Sequence, residues 1–322
     1  MSGYLVAFLF CLGLSLGALA NLMLHEITGG RWGVALRPPW MAAARLVPLN
    51  ALLFLPLLLG LQRLYPWLDP ARAASSASKA WWLNEPFFLV RAALYFAVWS
   101  WLAWRWLAIA RRAPTIRPPA LRRLSALGLI VYGLTISLAA TDWIMSLMPQ
   151  WYSTAFGLLI GTSQMLSAMA LGVAACACVR SERATASTLL DFGNLLLAYV
   201  MTWTYLAFTQ FLIIWAEDLP HEIAWYVPRM QTSWRWLTLA ILLLQFAIPF
   251  AVLLSRSIKR NRRPLGGLAV SLLVAQLLFA VYLVFPVLQP AGFAISWSNA
   301  LVAAVVVTLW FVVWRRNLRQ AP

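Results

Sequence analysis

The chain is predicted to be an all-α, polytopic membrane protein: a transmembrane helical bundle of about nine spans, forming a single integral membrane domain over residues 1–322. Composition is the first ground for this. The chain is 63% apolar and only 11% charged, too little polar surface to cover the core of a soluble protein of this length. The second ground is pattern. Apolar runs of about 20 residues, the length that crosses a bilayer core, recur between clusters of Arg, Pro or Trp. They are continuous rather than alternating, which excludes a β-barrel.

The runs place spans at roughly 3–25, 42–62, 87–109, 124–147, 154–179, 189–216, 234–255, 265–287 and 292–314. The opening "MSGYLVAFLF" has no basic n-region and no small-residue cleavage site, so it reads as a retained first helix rather than a signal peptide. The Ala/Ser-rich connector "QRLYPWLDPARAASSASKAWWLNEP", between spans two and three, is the predicted mobile loop. Cys11, Cys176 and Cys178 all lie in apolar stretches and read as small packing residues.

The net charge of +16 is scattered in short groups between spans, with no basic domain to hold a nucleic acid. It serves topology instead. Assigning the odd-numbered connectors and the C-terminal tail to the cytoplasm puts nineteen of the 25 basic residues inside and six outside. By the positive-inside rule the N-terminus is outside and the C-terminus inside. Arg91 is counted with the outside group, at a helix start. The loop after "DWIMSLMP" then faces outward, as do "AEDLPHEIAWYVPRMQTSW" and "PVLQPAGF". Six of the nine acidic residues lie at or near that face: Asp69, Glu85, Asp142, Glu217, Asp218 and Glu222.

Polar residues within the spans carry the functional expectations. Gly128, Tyr132, Thr135, Ala139, Asp142 and Ser146 recur at helical spacing, so they share one stripe of span four. An ionised carboxylate at that depth is costly and must face protein or water. Two roles remain open for Asp142: a bland one, in which it pairs with a neighbouring Arg or Trp N–H or simply snorkels outward, and a functional one, in which it accepts a proton. Span five carries Ser153, Gly157, Gly161, Gln164 and Ala168, and span one Gly13, Gly17, Asn21 and His25. Such small-residue stripes allow close helix packing, and His25 reads as a cap or interfacial residue. On span six Trp203, Gln210 and Glu217 share a face, and Glu217, Asp218, His221 and Glu222 crowd its outer end. That cluster reads as a solvated loop, a cation or proton site, or a contact for a basic partner. With only His25 and His221, at opposite faces, no bis-histidine haem fits between helices. No C-x-x-C, Walker, G-x-G-x-x-G or H-E-x-x-H pattern occurs.

The blocks "TDWIMSLMPQWYSTAFG" and "LLDFGNLLLAYVMTWTYLAFTQFLIIWAEDLPHEIAWYVPR", with "ITGGRW" and "LNEPFFLVRAALYF", resemble the ActF-type membrane subunit of alternative complex III. That complex is a quinol:cytochrome c oxidoreductase. The wider relatives are NrfD-like, polysulfide-reductase-type membrane subunits. The resemblance implies a cofactor-free integral subunit of the bacterial inner membrane, with quinone or quinol as its possible substrate and no metal of its own. Its partners would be a second NrfD-like membrane subunit and periplasmic iron–sulfur and multi-haem cytochrome c subunits. The resemblance also marks Asp142 as the proton-acceptor candidate. Trp151, Tyr152, Gln210, Glu217, Asp218 and His221 follow as quinol or proton-path candidates. Asn194 stands where the family pattern has lysine. A purely structural anchor of the same complex is the alternative function; a secondary transporter ranks last, because the prolines within spans form no matched pair around charged residues.

Overall fold

In a computed structural model the protein is described over residues 1–69, 79–112, 118–178, 185–293 and 296–320. The Ala/Ser-rich part of the predicted mobile loop, 70–78, lies outside these residues, as do Arg72, Arg117, Arg180 and Arg183 of the charge count. The described residues contain no strand. Among the described residues nine helices are long and apolar enough to span a membrane: Ser2–Thr28, Trp32–Leu58, Glu85–Arg112, Pro119–Leu147, Phe156–Cys178, Ala186–Glu217, Arg235–Leu254, Arg262–Leu288 and Trp297–Arg319. These are spans one to nine below.

Span one is the axis of the bundle and touches spans two, four, five, eight and nine. Its most apolar window is 94% buried, against 11% for span nine, which lies at the periphery. Small residues permit this central position. A Cβ added to Gly17 would stand 1.9 Å from the Gln164 carbonyl oxygen of span five, so the two backbones are in direct contact there. One turn on, Asn21 Nδ2 donates to the Met165 carbonyl at 2.9 Å and Tyr199 donates its hydroxyl to Asn21 Oδ1 at 2.5 Å. Gly17→Ala is therefore expected to cost about 1–3 kcal/mol by overpacking. Gly133→Ala, where a Cβ meets nothing within 4 Å, is the neutral control. Thermal unfolding in detergent measures both.

Span two begins ten residues before its expected start, at Trp32 rather than 42. The pair Pro38–Pro39 looked like connector but sits inside helix Trp32–Ala44, which meets Val47–Leu58 across a short jog at Arg45 and Leu46. Pro39 has no N–H for the Ala35 carbonyl, and that carbonyl receives the Cys176 thiol from span five at 3.3 Å instead. Trp40, fully buried, donates its indole N–H to the Ala168 carbonyl at 2.8 Å. Tertiary partners thus supply what proline removes. The "TGGRW" turn before this span runs through Gly29 and Gly30 at φ 75° and 97°, conformations that favour glycine. His25 closes it through Nε2 to the Gly30 carbonyl at 3.0 Å.

Span seven is irregular in the same way. A π-helical turn, Leu242–Ala247, separates Arg235–Ile241 from Ile248–Leu254. Pro249 follows, with no N–H to offer the Gln245 carbonyl, and the widened turn absorbs the fault. Spans five, six, seven and eight surround the cavity described next.

Candidate functional site

Asp142 is fully buried in the last turn of helix Pro119–Trp143, just before a 3-10 turn at Met145–Leu147. Arg91 of span three grips it with both arms of its guanidinium: Nε to Oδ2 at 2.8 Å and Nη2 to Oδ1 at 2.9 Å. Tyr95, one turn along from Arg91, donates to Oδ2 at 2.8 Å, and the Trp82 indole donates to Oδ1 at 2.9 Å. The guanidinium carbon lies 4.1 Å from the Trp82 ring centroid and 4.2 Å from that of Phe87. A carboxylate offers about four acceptor sites, and four donated bonds use them. Asp142 lines none of the three described cavities. Of the two roles left open for it, the geometry is that of a paired structural group. Arg91, counted above as an outer topology charge, is 5% exposed and serves as its counter-ion.

The largest of the described cavities is a separate, apolar one. It has a volume of about 700 Å3 between spans five, six, seven and eight, under the segment that links spans six and seven. Along span six its wall runs from Met201 to Phe211, about 15 Å of helix. The π-turn of span seven contributes Leu242 and Phe246. Tyr205, Phe208 and Leu242, at 67%, 58% and 53% exposure, form its mouth on the outer surface of the bundle.

Few polar groups reach this cavity. Gln210, 6% exposed, accepts from Ser153 Oγ at 3.0 Å and donates from Nε2 to the Tyr226 hydroxyl at 3.1 Å. That leaves the Tyr226 proton free to donate. Trp203 Nε1 and Thr204 Oγ1 are buried without a hydrogen-bond partner, and both residues line the cavity. Among the described residues no acidic or histidine side chain lines it.

Within and behind this wall four side chains stack in sequence: Trp225 and Tyr282 line the cavity, and Trp151 and Arg229 do not. Trp151 lies on Trp225 with centroids 4.2 Å apart and planes at 16°. Arg229 lies over the other side of the system, its guanidinium carbon 3.6 Å from Trp225 and 4.8 Å from Tyr282. Arg229 is fully buried and bonds only carbonyl oxygens: those of Tyr282 at 3.0 and 3.2 Å, of Leu283 at 3.3 Å, and of Trp225. Among the described residues no carboxylate pairs with it. Burial pushes its pKa down to about 10, so it stays charged at neutral pH.

The sequence-derived candidates therefore divide. Gln210 lines the cavity, and Trp151 buttresses Trp225 from outside it. Trp151 and Tyr152 also line a separate cleft of about 300 Å3 with Lys79, Trp81 and Trp82. Tyr152 is 52% exposed, with its ring 6.2 Å from His221. Glu217, Asp218 and His221 are exposed and line none of the described cavities. Asp218 holds the left-handed C-cap of span six, at φ 52°. Among the described residues no three His, Cys, Asp or Glu side chains form a group suited to a metal.

Several site residues escaped the sequence. Tyr226 and Arg229 lay in a stretch read as a loop, and Tyr95 in a plain apolar span. The available signal was Arg91 and Tyr95 four residues apart, which puts two donors on one helical face. Lys259 is another: 7% exposed, it donates to Asn194 Oδ1 at 2.8 Å. The chain matches no protein-family model and no curated protein.

Proposed function

We propose that this chain is a cofactor-free membrane subunit of a respiratory quinol oxidoreductase of the alternative complex III type, and that quinol enters its large cavity sideways from the lipid. The observation that carries this is the cavity itself. Its volume of about 700 Å3 falls within the usual range for ligand sites, and it is apolar with a few convergent polar groups, as such sites are. Its mouth lies between membrane-length helices, where a hydrophobic tail remains in the acyl chains while the ring moves in.

Within the cavity Tyr226 O–H and Trp203 N–H supply donors for a ring oxygen, Thr204 supplies a hydroxyl, and Gln210 fixes Tyr226. The electrons leave for centres on neighbouring subunits: iron–sulfur and c-haem proteins of the periplasm, with a second NrfD-like subunit alongside in the bacterial inner membrane. The excess of basic residues on the opposite connectors supports a periplasmic position for the cavity's loop segment, 218–234. Glu217, Asp218, His221 and Tyr152 then lie on the surface where those extrinsic subunits dock. Asp142 takes a structural part here, holding spans three and four together rather than accepting the quinol proton.

Equilibrium dialysis of a labelled short-tail menaquinone against the chain in nanodiscs tests the cavity. Wild type is expected to bind saturably, and Gln210→Leu to bind about tenfold more weakly, the worth of one hydrogen-bonding system. Absence of saturable binding by a folded wild-type chain would rule the cavity out as a quinone site.

A further inference from the structure

Arg229 has a consequence for which ligand the cavity prefers. A buried charge normally sits against a counter-ion, because removing an ion from water is costly. Asp142 and Arg91 obey that rule; Arg229 does not. Its donors go to three backbone carbonyls, and the rings over it, Trp225 and Tyr282, both line the cavity. Those carbonyls and π-faces orient and solvate the guanidinium but do not cancel its charge. One positive charge therefore stands against two aromatic rings of the cavity wall, and no acid among the described residues lines that cavity.

The groups facing Arg229 add no negative charge at neutral pH. Tyr226 comes from its own segment, and burial raises its hydroxyl pKa. Span eight brings Tyr282, and span seven brings Thr238, whose hydroxyl donates to the Arg229 carbonyl at 2.9 Å. Span six brings Gln210, which is neutral, and Tyr205 at the mouth. Among the described residues that line the cavity or stack on its Trp225 and Tyr282 rings, Arg229 is the charged one.

We infer that the cavity selects ring ligands carrying an ionised oxygen, the enolate or phenolate form of a tailed quinonoid compound, over their neutral forms, and that Arg229 sets this preference from behind the wall. Arg229 is a positioning and field-setting residue, since it does not touch the ligand. At an effective dielectric constant near 20, a unit charge about 12 Å from the ligand's oxygen favours the anion by about tenfold.

This inference rests on the quinone assignment of the cavity, and the test separates the two. The probes are an alkyl-tailed 2-hydroxy-1,4-naphthoquinone, whose enol ionises in the accessible range, and the same tailed ring without the hydroxyl. Dissociation constants are measured for the chain in nanodiscs of zwitterionic lipid, at pH values below and above the enol's own pKa. The hydroxyquinone is expected to bind about tenfold more tightly once ionised, while the plain quinone shows no pH dependence. Arg229→Gln, which removes the charge, should flatten that step, and Arg229→Lys, which keeps it, should retain a pH step. A wild-type chain that binds the ionised form no better than the neutral one overturns the inference and leaves the quinone site standing. That comparison needs no variant to fold. Failure of both rings to bind overturns the quinone assignment, and this inference with it.

Discussion

Asp142→Ala is expected to destabilise the chain by about 3–5 kcal/mol, the largest loss from any single substitution proposed here. The reason is the orphan it leaves behind. Arg91 is 5% exposed and spends two donors on this carboxylate, so truncation strands a buried cation. Tyr95 and Trp82 lose their acceptor at the same time. The paired variant Arg91→Met with Asp142→Leu should recover much of the loss, since apolar replacement of both members removes the uncompensated charge. Thermal unfolding in detergent, run as a double-mutant cycle, reads the coupling. Asp142→Asn discriminates between the two roles considered for this residue. As a structural clamp it should lose folded yield while quinol turnover per assembled complex is kept. Normal folding with abolished turnover would restore the proton-acceptor role and remove the clamp.

The second large effect concerns the cavity. Ala207→Trp is expected to abolish quinone binding, raising the dissociation constant at least about a hundredfold, with little change in unfolding temperature. Ala207 lines the cavity and is only partly buried, so an indole at that position has empty space to occupy rather than a packed core to displace. The cost of overpacking arises where neighbours cannot yield, as at Gly17 against the Gln164 carbonyl. Equilibrium dialysis of the same labelled quinone provides the measurement. Undiminished binding by the folded Ala207→Trp chain would mean that the ligand sits elsewhere, with the 300 Å3 cleft beside Lys79 and Tyr152 the next place to look.

Gln210 shows how far the sequence could reach. Its position on span six, seven residues from Trp203, put both on one helical face, and both line the cavity. Glu217 shares that spacing but is exposed, because the helix ends at Asp218 and the chain turns away before the face can continue inward. Span two failed for a different reason. Proline is a strong local stop signal, yet the Cys176 thiol relieves the carbonyl that Pro39 leaves open. A residue more than a hundred positions away decided that element, and no window along the chain contains it.

Hydropathy and helical period are properties of neighbours along the chain, and they alone determined the membrane class, the number of spans and the inward stripe of span four. Which carboxylate meets which cation depends on how the helices are rotated and which of them are adjacent. That is why Arg91, 51 residues from Asp142, looked like a topology charge until the packing was known. The cavity belongs wholly to tertiary structure: it is space left between four helices, one of them widened by a π-turn ahead of Pro249, and empty space has no residue of its own to read.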